Sequence, residues 1–258
     1  MENLFQYHQI ACMNKRELSV YNYVSSHLEE ASKMNIRELA AICQVSTTTI
    51  LRFCSKVNCD GYTEFRYRLQ QALKDYGIAA HVFSNIPAIQ YLQNLNKDEN
   101  INQKLNQAAK WCTQAKYILF LGEGVSGTMS EYGARLFSSA GMLAFAVTDP
   151  CYPPPIKNMA DTVILVLSIS GENAHIIALI NNYKKRKGKI ISITNTDQCT
   201  VARISELNFS YYMPLIYASP EIREASLTTQ IPVVCLLENL ARKLIENENT
   251  IRQQQKNK

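Results

Sequence analysis

No two of the eight cysteines stand at C-x-x-C spacing, and no histidine pair follows them at the spacing of a zinc finger. A metal site and a disulfide framework are therefore not expected, and Cys12, Cys43, Cys54, Cys59, Cys112, Cys151, Cys199 and Cys235 read as reduced thiols. The chain also lacks any run approaching the roughly 18 apolar residues of a membrane span. Near its start Glu2, His8, Lys15 and Arg16 stand without an apolar stretch between them. A cytoplasmic location without a membrane partner is the expectation. Charge of one sign is scarce as well: 27 basic against 22 acidic residues leave +5, which one basic surface or ordinary solubility explains equally.

What is present is length and apolar content. With 258 residues and 47% hydrophobic composition, the chain is long enough for one large α/β domain and a small one, because single cores rarely grow beyond about 250 residues. From Lys15 the apolar residues Leu18, Tyr21, Val24 and Leu28 fall on one helical face. A short helix follows with Ile36, Leu39, Ala40 and Cys43. After Gln44 and Val45, Ser46 is a good N-cap for a third helix from Thr47 to Lys56. Two short amphipathic helices joined by a tight turn form a helix-turn-helix signature.

The third helix is expected to bury Ile50, Leu51 and Phe53 and to turn Thr47, Thr48, Thr49, Arg52 and Lys56 outward. With Ser46, these are the candidate DNA-binding residues. Short hydroxyl side chains at the start of such a helix approach base edges closely, and Arg or Lys further along meets guanine or phosphate. A capped, Thr-rich solvent face is the plainer alternative. The run from Asn35 to Lys56, with Asp60-Gly61-Tyr62-Thr63-Glu64-Phe65 after it, resembles the helix-turn-helix domain of the RpiR family of sugar-metabolism regulators. E-L-A, V-S-x-x-T-I-x-R-F-C and G-Y-x-E-F occur in order. Val57-Asn58-Cys59 departs from the family's usual Leu-Gly-Phe, and Asn58 tolerates the left-handed conformation that glycine supplies there. A last helix with Phe65, Leu69 and Leu73 should close the bundle near Tyr76, with Arg66 and Arg68 available for backbone contacts. Between Gly77 and Asn100 the pattern weakens to a linker with one short helix near Ala88 to Leu95.

Helical periodicity returns at Ile101, Leu105, Ala108 and Trp111. Apolar runs of strand length then follow at 117–121, 143–147, 163–167, 190–193 and 207–211. Their helix- or loop-length spacing argues for a parallel sheet covered on both faces. In such sheets ligands bind at the carboxyl ends of the strands. Three ends are chemically informative: Gly122-Glu123-Gly124-Val125-Ser126-Gly127, Ser168-Ile169-Ser170-Gly171-Glu172-Asn173, and Thr194-Asn195-Thr196. Alone, the first satisfies the dinucleotide pattern G-x-G-x-x-G, with Asp149 near the place of a ribose-binding acid. The second loop tips the reading. Two hydroxyls and a glycine before a helix make a compact anion site, which suits a phosphosugar.

From about Leu105 to Leu244 the chain resembles the sugar isomerase, or SIS, domain. That resemblance implies phosphosugar binding by Gly124, Ser126, Ser168, Ser170, Gly171, Asn173 and Glu224; Asn173 stands where Thr is usual. Glu224, at the head of a final helix expected over 225–245, occupies the place where SIS isomerases often keep a catalytic base. His175 lies one turn past the phosphate loop, and Arg223 is a further candidate beside the sugar. Helix capping explains the serines otherwise, and a first-turn acid explains Glu224. Thr229-Gln230 departs from a Ser-Arg pair of related regulators. The run Lys184-Lys185-Arg186-Lys187 ends a helix, where cations are favourable.

The expected molecule is α/β in class: an all-helical helix-turn-helix bundle followed by a doubly wound, five-stranded, parallel SIS-like sandwich. Its domains are 1–76, a linker 77–100, an SIS-like domain 101–248 and a frayed tail 249–258. The expected function is that of a bacterial transcriptional regulator of carbohydrate metabolism. Its partners are a double-stranded DNA operator and a phosphorylated sugar effector, with no cofactor, no metal and no catalytic residue. The chain should form a homodimer or homotetramer, with Val233, Leu236, Leu237 and Leu240 as one association surface. A sugar-phosphate isomerase with a helical appendage and an NAD-dependent enzyme are the rivals from another class.

Overall fold

Asparagine starts two early helices in the same way. Asn14 Oδ1 accepts from the amides of Arg16 and Glu17, and the Glu17 carboxylate returns to the Asn14 amide. Asn35 and Glu38 repeat this box one motif later, so each start satisfies amides that have no helical partner. In the computed structural model, which describes residues 5–82, 86–95, 97–149, 158–219 and 222–256, these boxes open α2 (Lys15–Ser26) and α4 (Ile36–Ile42). With them stand α1 (Tyr7–Ala11), α3 (Leu28–Lys33), α5 (Thr47–Lys56) and α6 (Tyr62–Val82). Leu18, Val24, Leu39, Ile50, Phe53, Phe65 and Leu69 form their shared core, in which the Phe53 and Phe65 rings meet edge to face at 5.3 Å.

After α7 (Ile86–Leu95) and α8 (Glu99–Gln114), β1 (Tyr117–Leu121), α9 (Val125–Ser139), β2 (Ala144–Val147) and β3 (Thr162–Ser168) follow. Next come α10 (Ala174–Lys185), β4 (Lys189–Thr194), α11 (Thr200–Ile204) and β5 (Leu207–Ser210). The five strands are parallel in the order β2-β1-β3-β4-β5. β3 is buried along its whole length, which explains its unbroken apolar run. The chain builds β2 on one side of β1 and β3 on the other. The sheet therefore has its topological switch point between β1 and β3, the place where open α/β sheets bind ligands.

A two-stranded antiparallel hairpin, β6 (Tyr217–Ser219) with β7 (Ile222–Ser226), precedes α12 (Ile231–Lys256). By contact the chain divides into two units, Met1–Tyr91 with Tyr212–Thr228, and Leu92–Tyr211 with Thr229–Lys258. Among the described residues no helix is long and apolar enough to cross a membrane. Cys12, Cys43, Cys54, Cys59, Cys112, Cys199 and Cys235 are free thiols, and burial pushes Cys54 and Cys112 up to about 12. Cys151 lies outside the described residues.

Four expectations change. α6 continues past Tyr76 and Gly77 to Val82, because one glycine costs a long helix only about 1 kcal/mol. The final helix begins at Ile231, and Glu224 lies on β7 rather than at its head. The expected frayed tail is helical as far as Lys256. Val233, Leu236, Leu237 and Leu240 are at most 2% exposed within the chain, so that face is covered by the protein's own core and is no association surface.

Candidate functional site

Two constellations carry chemistry, one in each unit. In the first, α4 ends at Cys43 and Gln44 takes a left-handed conformation (φ 53°). Val45 then donates back to the Ala40 carbonyl at 2.9 Å, which closes a Schellman-type turn without glycine. The reversal delivers Ser46 as the N-cap of α5, where its Oγ accepts from the Thr49 amide at 3.2 Å and lies 3.0 Å from Thr49 Oγ1. Ile50, Phe53 and Cys54 face the core. Ser46, Thr47, Thr48 and Arg52 are exposed, and Thr49 is half-buried. At the far end Asn58 is left-handed (φ 57°), as its place after the helix leads one to expect.

Two residues of α5 differ from their expected setting. Lys56 is held by the protein: its Nζ donates to the buried Glu17 carboxylate at 2.6 Å and to the Cys12 carbonyl at 2.7 Å. Leu51, expected in the core, is 47% exposed. The apolar period of α5 runs instead through Ile50, one residue before it, and Phe53 and Cys54, two and three residues after.

The second constellation lies at the switch point. The loop after β1 enters α9 at Gly124, whose φ of 55° and ψ of −129° suit glycine alone. Ser126 is buried in the first turn, and Ser130 Oγ donates to its carbonyl at 2.9 Å. In the loop after β3, Ser168 Oγ accepts from the Gly171 amide at 3.1 Å and Ser170 Oγ from the Glu172 amide at 3.2 Å. Both hydroxyls thus shape the turn by accepting, and each retains its own O–H to donate. Asn173 caps α10, its Oδ1 accepting from the Ile176 amide at 3.1 Å. Cys199, at the start of α11, lies under Gly171: a side chain there would collide with its Sγ, and Gly171 has a φ of +64°. The Thr194 loop buttresses this arrangement, with Asn195 donating its amide to Ile169 and Thr194 Oγ1 bonded to Asn208 and Thr196.

The two loops are joined by a residue that the sequence reading passed over. Asn173 Nδ2 donates to Glu123 Oε2 at 2.8 Å, while Glu123 Oε1 is buried and meets no donor among the described residues. Glu123 filled a variable place in the G-x-G pattern, so nothing in the pattern marked it. The arrangement can bind an anion through the amino ends of α9 and α10 and the Ser126, Ser168 and Ser170 hydroxyls. The remaining oxygen of the Glu123 carboxylate is free to accept from a donor beside such an anion. His175 is exposed on the first turn of α10. The side chains of Arg223 and Glu224 lie outside the described residues. Among those described, no cluster of three or more His, Cys, Asp or Glu side chains is placed to hold a metal ion.

Two segments of the chain match known families. Residues 4–75 match the helix-turn-helix domain of the rpiR family, and residues 112–232 match the SIS domain. The HTH-type transcriptional regulator HexR of Pseudomonas aeruginosa is 24% identical over 221 residues, which are 78% of this chain and 75% of HexR. Among solved structures, the Vibrio vulnificus NanR protein complexed with ManNAc-6P has a TM-score of 0.52 and 18% identity over 97% of this chain and 94% of its own. The sugar isomerase domain of an RpiR transcription factor from Sphaerobacter thermophilus has a TM-score of 0.51 and 14% identity over 67% of this chain and 92% of its own. At such identities these structures show likeness of fold.

Proposed function

The chain belongs to the rpiR family of helix-turn-helix proteins with a SIS domain, and from that premise we propose that it regulates transcription of carbohydrate-metabolism genes in response to a phosphorylated sugar. One observation carries the reading: a single chain joins a capped helix with an exposed Thr-Thr-Arg face to two helix amino ends that converge on one switch point. Ser46, Thr47, Thr48, Thr49 and Arg52 read or flank operator bases, and Lys56 holds the helix that presents them. Gly124, Ser126, Ser168, Ser170, Gly171 and Asn173 receive the phosphate, and Glu224 the sugar. The functional division follows 1–76, 77–100 and 101–248. The protein acts in the cytoplasm, as a homodimer or homotetramer whose paired heads meet paired half-sites. It acts without turnover. HexR is named as a regulator, and NanR is complexed with a sugar phosphate, which supports both halves of the reading.

The test is a thermal-shift series of hexose and amino-sugar phosphates on the intact protein, followed by DNA binding at fixed salt with any compound that shifts the melt. A ligand at about 100 times its Kd adds about 2.7 kcal/mol to stability, a shift of several degrees. No shift with any phosphosugar removes the sensing half. A shift accompanied by conversion of the sugar moves the reading to an isomerase.

A further inference from the structure

The exposed leucine of α5 points to a specificity element that the hydroxyls and Arg52 do not supply. Thr47, Thr48, Leu51, Arg52 and Ser55 are all exposed. Their spacing, i, i+1, i+4, i+5 and i+8, places them on one face of a helix of 3.6 residues per turn. Leu51 stands in the middle of that face, 47% exposed, with Thr47 one turn before it and Ser55 one turn after. The residues that anchor α5 to its domain, Ile50, Phe53 and Cys54, are at 0% exposure, so the core is complete without Leu51.

Single exposed leucines are ordinary on protein surfaces. This one occupies the centre of a polar strip whose other members suit one kind of partner. α5 carries Arg52 and Lys56 and no acidic side chain, which fits a polyanion. Its four exposed companions are two threonines, an arginine and a serine, all able to bond base edges or phosphates. In the major groove of DNA the apolar group offered to a protein is the 5-methyl of thymine. An apolar side chain at the middle of a groove-facing strip has that methyl as its complement.

We propose that Leu51 is a base-reading residue that selects a thymine in the operator by packing on its 5-methyl group. The inference rests on the reading of α5 as the DNA-reading helix. It assigns Leu51 a part in sequence choice, while Arg52 and the helix amino end supply attraction.

The experiment uses the full chain. A bound sequence is first selected from a random duplex library. Each thymine of that sequence is then replaced in turn by uracil, which removes the methyl and leaves every hydrogen-bonding group in place. Affinities are measured at one salt concentration for the wild type, Leu51→Ala, Thr47→Ser and Thr48→Ser. At one thymine of each half-site the wild type should lose about 3- to 10-fold on substitution, the scale of one buried methyl. Leu51→Ala should bind the thymine duplex more weakly by a similar factor and be indifferent to uracil there, while its melting temperature stays that of the wild type. The serine variants lose the threonine methyls and keep the hydroxyls; whatever their affinity, each should still prefer thymine to uracil at that position. Tolerance of uracil at every position by the wild type overturns the proposal. So does a uracil response that persists in Leu51→Ala, or one lost in a serine variant instead. If selection enriches no sequence at all, the DNA-reading role of α5 fails and the assignment of Leu51 falls with it.

Discussion

Lys56 and Gly171 show how single residues set the two sites. The Lys56 ammonium bonds a carboxylate that is only 2% exposed, and Glu17 in turn accepts from the Asn14 amide that starts α2. Replacing Lys56 with methionine keeps the stem and leaves Glu17 buried without its cation, which should cost about 2 kcal/mol, less than for a fully buried pair because Lys56 is partly solvated. The measurement is urea unfolding of the first unit. Lys56→Met should lower the midpoint, whereas Arg52→Ala should leave it unchanged and abolish specific DNA binding. Equal midpoints for Lys56→Met and wild type would return Lys56 to a purely DNA-facing role. At Gly171 the positive φ and the Cys199 sulfur act together. Gly171→Ala must strain the backbone and displace Cys199, for about 1–3 kcal/mol of stability. It should also remove the thermal shift given by a phosphosugar. An unaltered shift would separate the phosphate site from this loop.

Helix ends and strand ends were the most legible elements. Ser46, Asn58 and the glycines after β1 announce themselves because caps and left-handed turns accept few residue types. β1, β3 and β4 were readable because both of their faces are buried and the runs are continuous. Less was legible where the signal was a single residue among several permitted ones. The pattern of α5 did not separate Leu51 from Ile50, since two adjacent apolar residues fit a helical stripe equally well until packing chooses. The β6–β7 hairpin was missed because its sequence, with Ser219 and Pro220 before Glu221, has neither alternation nor a two-residue glycine turn. Glu123 was silent because its partner, Asn173, is 50 residues away. The cap at Ser46 belongs to this scale. Ser46→Ala removes the acceptor for the Thr49 amide and should destabilise α5 by about 1 kcal/mol, with Ser46→Gly costing only a few tenths. Thermal melts of the two variants give the comparison, and an equal loss would mean that the hydroxyl contributes nothing as a cap.

For the whole molecule the telling fact is that the first unit is not one stretch of chain. Tyr212–Thr228, between β5 and α12 in sequence, belongs with Met1–Tyr91 by contact. Tyr212 is 8% exposed within the core that holds Leu18, Phe53 and Leu69, and its ring stands 6.0 Å from that of Tyr7. Ser26 Oγ donates to the Leu215 carbonyl at 2.7 Å. The hairpin closes on itself through Thr228, whose Oγ1 accepts from the Ile216 amide at 3.0 Å. A helical fragment ended at Tyr91 therefore lacks part of its own core. Loss of one buried aromatic ring costs about 3–5 kcal/mol, and in a domain of this size 1 kcal/mol moves the midpoint by about 4–8 °C. The fragment 1–91 should accordingly melt at least about 10 °C below the same helices in the intact chain, with Tyr212→Ala in the intact chain falling between the two. Circular dichroism of the fragment, the variant and the wild type measures this directly. A fragment as stable as the helices in the full protein would show that residues 212–228 merely lie on the first unit. A large deficit means that the segment leading from β5 to α12 forms part of the core of the first unit, which is then built from two separate stretches of the chain.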